Sequence, residues 1–98
     1  METLTSKDFE EKTSTGKVLV KFGASWCPPC KTIQPKYHLW GEEHPEVKCF
    51  KVDIDDSPEI SKKYGVKNIP AFAVFEDGVF QKKKKKVRDF DTLVSGDK

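Results

Sequence analysis

Short apolar runs alternate with polar segments along the whole chain. Residues 18–22, 47–54 and 71–76 have the length and the branched or aromatic side chains of β-strands, and 79–84 is a more polar candidate. The first run is apolar at nearly every position, which is typical of a strand buried on both faces. Asp77-Gly78 separates the last two runs, and this dipeptide predicts a tight antiparallel hairpin.

Helices are predicted between these strands. Thr5 to Lys12 begins with a threonine followed three residues later by an aspartate, as in a capping box. A longer helix opens at Cys27 and extends to about Glu43, and shorter ones are expected at 59–64 and 89–94. The strand, helix, strand order from residue 18 predicts a βαβ unit with parallel strands and a right-handed crossover. The sequence therefore predicts an α/β fold.

Size and charge limit the function classes. The 98 residues are enough for one domain, 1–98, and the apolar 36% is bunched in runs, which favours a folded chain. With 18 basic and 16 acidic residues, the net charge of +2 indicates neither nucleic acid nor a membrane surface as a partner. The first residues lack the basic and apolar regions of a signal peptide, so we expect a cytoplasmic protein. We also expect a monomer.

Two cysteines, Cys27 and Cys30, stand where the first apolar run gives way to the long helix. At a helix N-terminus, unpaired N–H groups and the positive end of the dipole stabilise a thiolate on Cys27. Cys30 lies one turn further on the same face, close enough to form a disulfide. Pro28 and Pro29 suit the first turn, where N–H groups have no intrahelical partner. This pattern predicts thiol chemistry, with Cys27 as the nucleophile and Cys30 as the resolving thiol.

A metal site is the other interpretation of two cysteines at this spacing. Zinc normally requires four ligands, arranged as two separated pairs. The remaining candidates are Cys49, His38 and His44, and none of them has ligand spacing. We therefore expect no metal and no other bound cofactor, and we interpret Cys49 as a small packed side chain.

Around these cysteines the sequence resembles the thioredoxin family. The resemblance rests on five landmarks that occur in register across nearly the whole chain: Leu4-Thr5…Phe9, Phe22-x-Ala24-x-Trp26-Cys27-x-Pro29-Cys30-Lys31, Pro35, Lys51-Val52-Asp53-Ile54-Asp55 and Val66-x-x-Ile69-Pro70. It implies the thioredoxin fold, a central mixed sheet flanked by helices. It also implies a thiol–disulfide oxidoreductase that reduces disulfides in other proteins.

The resemblance extends to the surroundings of the cysteines. It implies that the Ile69–Pro70 peptide bond is cis and faces the disulfide, and that the Ile69 backbone pairs with the substrate chain. Trp26, Pro28 and Pro29 are expected to form the rest of the substrate-binding surface. The implied partners are disulfide-containing proteins and a reductant, either an NADPH-dependent flavin reductase or another dithiol.

Several residues depart from the usual pattern of the family. Pro28-Pro29 between the cysteines resembles the tryparedoxins and nucleoredoxins rather than the commoner Gly-Pro, and Gly23 replaces an aromatic residue. Lys21 stands where many thioredoxins carry a buried acid. Because a buried cation is costly, we expect Lys21 to snorkel, to lower its own pKa or to pair with an acid. Lys51 should lie on the neighbouring strand, and either lysine could lower the pKa of the Cys30 thiol.

A run of five lysines, Lys82 to Lys86, ends the predicted hairpin. We interpret it mainly as protection of a sheet edge by charge. An acidic protein partner is the alternative, and nucleic acid is the least favoured because no aromatic residue interleaves with the lysines. The resemblance places Lys86 beside the substrate groove, where the family carries a glycine.

Two other functions stay open at this point. The chain could be a more oxidising catalyst of disulfide exchange, since the sequence leaves the sign of the change in reduction potential undetermined. It could also be a protein-binding module in which the redox state of the cysteines acts only as a switch.

Overall fold

Strands and helices alternate in the computed structural model, which describes residues 1–84 and 90–95. The elements are α1 (Phe9–Lys12), β1 (Lys17–Gly23), α2 (Pro28–Glu43), β2 (Lys48–Asp53), α3 (Pro58–Lys63), β3 (Ala71–Glu76), β4 (Val79–Lys84) and α4 (Phe90–Ser95). Lys85 and Lys86 of the lysine run and Asp89 of the last predicted helix lie outside the described residues. Within 1–84 and 90–95, none of the helices has the length and apolar character needed to cross a bilayer.

The four strands form one mixed sheet in the order β2-β1-β3-β4. β1 runs parallel to β2, with Lys21 opposite Lys51, and antiparallel to β3, with Lys21 opposite Phe72. β3 and β4 form the predicted hairpin. Asp77 and Gly78 at its turn have φ of 51° and 85°, the left-handed backbone that a two-residue hairpin turn requires. The parallel unit and the hairpin are both confirmed.

β1 is buried on both faces because it lies between β2 and β3 and is covered by helices. Val18, Val20 and Phe22 pack on one face of the sheet, in a cluster that includes Phe9 of α1 and Ile60 of α3. Leu19 points to the opposite face, where its cluster consists of Tyr37, Val47, Phe72, Val74, Phe90, Leu93 and Val94. The predicted mixed sheet with flanking helices is thus confirmed.

The first helix begins later than predicted. Residues 6–8 form a turn, and α1 begins only at Phe9. The predicted capping contact exists, since Asp8 Oδ1 accepts the N–H of Thr5 at 2.8 Å. Asp8 itself has φ of −116° and ψ of 0° and occupies the N-cap position. The carbonyl oxygen of Thr5 accepts the N–H of Asp8 at 3.2 Å as well as that of Phe9 at 3.0 Å, so the first turn is partly of the three-residue type and the regular α-helix begins after it.

Tyr37 connects α2 to the two parallel strands. Its buried hydroxyl lies 2.9 Å from the carbonyl oxygen of Leu19 and 2.7 Å from that of Phe50. We expect Tyr37→Phe to lower the free energy of unfolding by about 1–2 kcal/mol, because the one buried hydrogen bond that the hydroxyl proton makes to these carbonyls is lost. Urea denaturation measures the change. Tyr64→Phe is the matched control, since its hydroxyl makes no hydrogen bond with the described residues. A similar loss in both variants would contradict the assignment.

Candidate active site

The active-site segment follows directly from the end of β1. Gly23 ends the strand, and Cys27 occupies the N-cap position of α2 with an extended backbone. The N–H of Cys30 donates to Cys27 Sγ at 3.3 Å. Pro28 and Pro29 take the first helical positions. The predicted start of the long helix, with Cys27 at its N-terminus, is confirmed.

Cys27 and Cys30 are joined by a disulfide, and their Cα atoms are 5.3 Å apart. Both are almost fully buried, with 3% and 2% of their surface exposed. Ala24, Ile54 and Ile69 pack around them. A target disulfide must therefore come very close to Cys27 Sγ and approach it between the side chains that border it.

The loop before β3 supplies the opposite side of the site. The Ile69–Pro70 peptide bond is cis, as the resemblance implies. The carbonyl oxygen of Ile69 lies 4.0 Å from Sγ of Cys27. Ile69 and Pro70 are both half-buried. The chain thus brings together two segments separated by about 40 residues, the cysteine turn and the proline loop.

Trp26 is the large exposed residue beside the disulfide, with 62% of its surface accessible. Its indole N–H donates to Asp55 Oδ2 at 2.7 Å. Asp53 Oδ1 in turn accepts the backbone N–H groups of Asp55 and Asp56 at 2.8 and 3.2 Å. These bonds hold the indole in place from the end of β2. Sequence reasoning missed Asp55 as a positioning residue, although it belongs to one of the family landmarks.

Lys21 is buried, with 6% of its surface exposed. Its Nζ donates to the carbonyl oxygen of Cys30 at 3.3 Å and to Oε1 of Gln34. Burial, and secondly the positive charge of Lys51, lower the pKa of Lys21 to about 8. Of the three alternatives for Lys21, the lowered pKa is confirmed, and pairing with an acid is wrong for the described residues. Sequence reasoning did not identify Gln34 as a partner of Lys21. Its position four residues after Cys30 on one helix places both residues on the same face, and this spacing could have indicated it.

Gly23 allows Cys30 and Lys21 to pack closely against the end of β1. A Cβ atom at this position would lie 3.2 Å from Cys30 Sγ and 3.5 Å from Lys21 Cε. A side chain at this position would press on both groups. Gly23, Cys30 and Lys21 also line a cavity of about 480 Å³. Lys51, opposite Lys21 in the parallel register, also lines it.

Cys49 is half-buried on β2, and its side chain packs with the cluster around Tyr37. Burial raises the pKa of its thiol to about 11. It is therefore protonated at neutral pH and a poor nucleophile, consistent with the packed side chain expected from sequence. Among residues 1–84 and 90–95, no three His, Cys, Asp or Glu side chains are grouped closely enough to hold a metal ion.

The described part of the lysine run, Lys82 to Lys84, lies on β4 at an edge of the sheet. Lys83 Nζ donates to the carbonyl oxygens of Tyr64, at 2.8 Å, and Gly65, just beyond α3. A cation is favoured there by the negative end of the helix dipole. The edge position agrees with edge protection, and Lys83 has an additional structural role.

The family model for Thioredoxin matches residues 1–96. The chain belongs to the thioredoxin family. A thioredoxin of Chlamydia trachomatis is 34% identical over 94 residues, which are 96% of this chain and 92% of that protein. Among solved structures, Fasciola hepatica thioredoxin superposes with a TM-score of 0.90 at 31% identity, over the full length of both chains. Oxidised mitochondrial thioredoxin 3 of Saccharomyces cerevisiae gives 0.85 at 31% identity, over 98% of this chain and 92% of that one.

Membership of the thioredoxin family and the Cys27–Cys30 disulfide together establish the activity. This thioredoxin-family protein is a thiol–disulfide oxidoreductase. The fold predicted from the sequence, a mixed sheet with helices on both faces, is the fold of these relatives.

Proposed function

We propose that the chain reduces disulfides in other proteins and acts as a small electron carrier. In the reduced protein, the thiolate of Cys27 attacks one sulfur of the target disulfide, and the other target sulfur leaves as a thiolate. Cys30 then attacks Sγ of Cys27, which releases the second target thiol and forms the Cys27–Cys30 disulfide. The observation that carries this proposal is the position of Cys27 Sγ at the N-cap of α2, within reach of the Cys30 N–H.

The substrate-binding surface consists of the groups that border Cys27. The backbone N–H and C=O of Ile69 make no backbone hydrogen bond with the described residues, so an extended target segment can pair with them. Pro70 fixes this segment beside the disulfide. Trp26, Pro28 and Pro29 are exposed around it and offer apolar contact area. This arrangement supports docking of an unfolded or extended chain rather than of a small thiol alone.

Lys21 and Lys51 tune the resolving step in this proposal. Both line the cavity that borders Cys30, and Lys21 lies directly under the first turn of α2. A positive charge at this place stabilises the thiolate of Cys30, which is the form that attacks the mixed disulfide. In relatives with a buried acid here, the charge has the opposite sign.

The oxidised protein requires a reductant to complete the cycle. We propose an NADPH-dependent flavin reductase or another dithiol in this role, with no metal or cofactor bound to the chain itself. The reaction then belongs in a reducing compartment such as the cytoplasm, with the chain acting as a monomer.

The equilibrium reduction potential of the Cys27–Cys30 pair tests the direction of electron flow. We expect a value of about −270 mV, which is the value for thioredoxin. The measurement is a dithiothreitol series read by thiol alkylation and mass spectrometry, with Cys49→Ser as the background so that one dithiol titrates. A value between about −180 and −120 mV would assign the chain to oxidation or exchange of disulfides instead.

A further inference from the structure

A cavity of about 480 Å³ lies between β1, β2 and the first turns of α2. Gly23, Cys30, Lys21 and Gln34 contribute to its lining. Its volume falls in the range of small-molecule sites, roughly 300–1,000 Å³. The cavity borders Cys30 rather than the rim around Trp26, so it is distinct from the substrate-binding surface.

The positive charges of the two lysines in this cavity are not balanced by ion pairs with described residues. Lys21 and Lys51 face each other across β1 and β2, and no described carboxylate forms an ion pair with either. Lys21 Nζ donates only to neutral oxygens among the described residues, those of Cys30 and Gln34. Lys51 Nζ makes no hydrogen bond with any described residue. Two neighbouring amines in a concave, partly buried place favour an anion.

The acidic side chains that also line the cavity do not neutralise these lysines. Asp53 Oδ1 is engaged by the backbone N–H groups of the following turn. Asp56 is exposed. Lys31, exposed on α2, adds a third positive charge to the lining. The end of the cavity that holds Lys21 and Lys51 is therefore the positive one.

We propose that this cavity binds a small anion, the phosphate or carboxylate group of a small molecule, between Lys21 and Lys51. The anion lies beside Cys30, so a metabolite bound there changes the electrostatic surroundings of the resolving thiol. The site does not depend on whether the chain reduces or oxidises its substrates.

Titration of the oxidised, ¹⁵N-labelled protein with inorganic phosphate, and separately with citrate, tests the proposal at constant ionic strength. We expect saturable shifts of backbone amides at residues 21–23 and 51–53 with at least one of the two probes, and the probe that binds more tightly identifies the anionic group. Lys51→Gln should weaken binding about tenfold, and Lys51→Arg should retain it. Lys48→Gln is the matched control, because Lys48 lies on the same strand but is exposed and contacts Thr15.

The proposal is overturned if the shifts do not saturate, if they centre on Lys82–Lys84, or if Lys51→Gln and Lys48→Gln bind both probes equally. The spectrum of each variant without added anion reports whether it is folded. Lys21→Met provides a second test of the same site, with the same expected loss of binding. Because neither probe reacts with the disulfide, a failure here is separate from a failure of the proposed reductase activity.

Discussion

Insulin disulfides should be reduced by the Cys27→Ser variant no faster than in the absence of protein. Serine cannot form the mixed disulfide. Cys30 cannot replace Cys27, because it lies inside the first turn of α2 on the side of Gly23 and Lys21, whereas Cys27 is the cysteine that borders the Ile69 segment. The Cys30→Ser variant should also fail to turn over, but for a different reason. Its Cys27 still attacks, and the covalent complex with the target persists because nothing resolves it.

Each variant is mixed with a target protein that contains a disulfide, and mass spectrometry under non-reducing conditions distinguishes these two outcomes. Cys30→Ser should accumulate the mixed disulfide, whereas Cys27→Ser should not. Cys49→Ser is the control and should retain the activity of the unaltered chain, because its thiol is half-buried and protonated at neutral pH. Accumulation of the covalent complex in Cys27→Ser would reverse the proposed roles of the two cysteines.

Lys21→Met should stabilise the oxidised protein at pH 7 by roughly 1–3 kcal/mol. Burial lowers the pKa of Lys21 to about 8 from 10.5, and each unit of that difference corresponds to about 1.4 kcal/mol before screening and lost hydrogen bonds are allowed for. Between about pH 8 and 10.5 the unfolded chain holds more protons on this amine than the folded chain. The stability of the unaltered protein therefore rises across that interval, and the advantage of the methionine variant shrinks.

Urea denaturation of both proteins at pH 7, 8, 9 and 10 measures this difference. Lys48→Met is the control at an exposed position of β2 and should show no comparable dependence on pH. A stability difference that stays constant from pH 7 to 10 would contradict the lowered pKa.

In the reduced protein, the same Lys21→Met variant should slow alkylation of Cys30 at neutral pH, and an unchanged rate would argue against the proposed stabilisation of its thiolate.

Structural features that depend on residues close together in the chain could be predicted from the sequence. The Asp77-Gly78 turn and the position of Cys27 at a helix N-terminus follow from local patterns, and both are observed. β1 was recognised although Lys21 interrupts its apolar run, because the surrounding positions outweigh one polar residue. The family landmarks supplied what local patterns could not, namely the approach of the Ile69 segment to the cysteines.

Contacts between side chains that are distant in sequence were not predictable. Trp26 meets Asp55 across 29 residues, and the choice of Gln34 as a partner for Lys21 depends on how α2 packs on the sheet. For Lys21 the sequence allowed three outcomes with similar physical justification. Only the packed structure decides among them, since the cost of burying a charge depends on which acceptors lie within reach.

The position of β1 between β2 and β3 has a consequence for synthesis on the ribosome. A nascent chain that has emerged as far as Asp53 contains β1, α2 and β2, which can pair as a unit and carry both cysteines. The Ile69 carbonyl that borders Cys27 arrives only with β3, whose partner in the sheet is β1. During this interval the two thiols lack the Ile69 segment that borders Cys27 in the folded protein, so they are more open to solvent than in the complete chain.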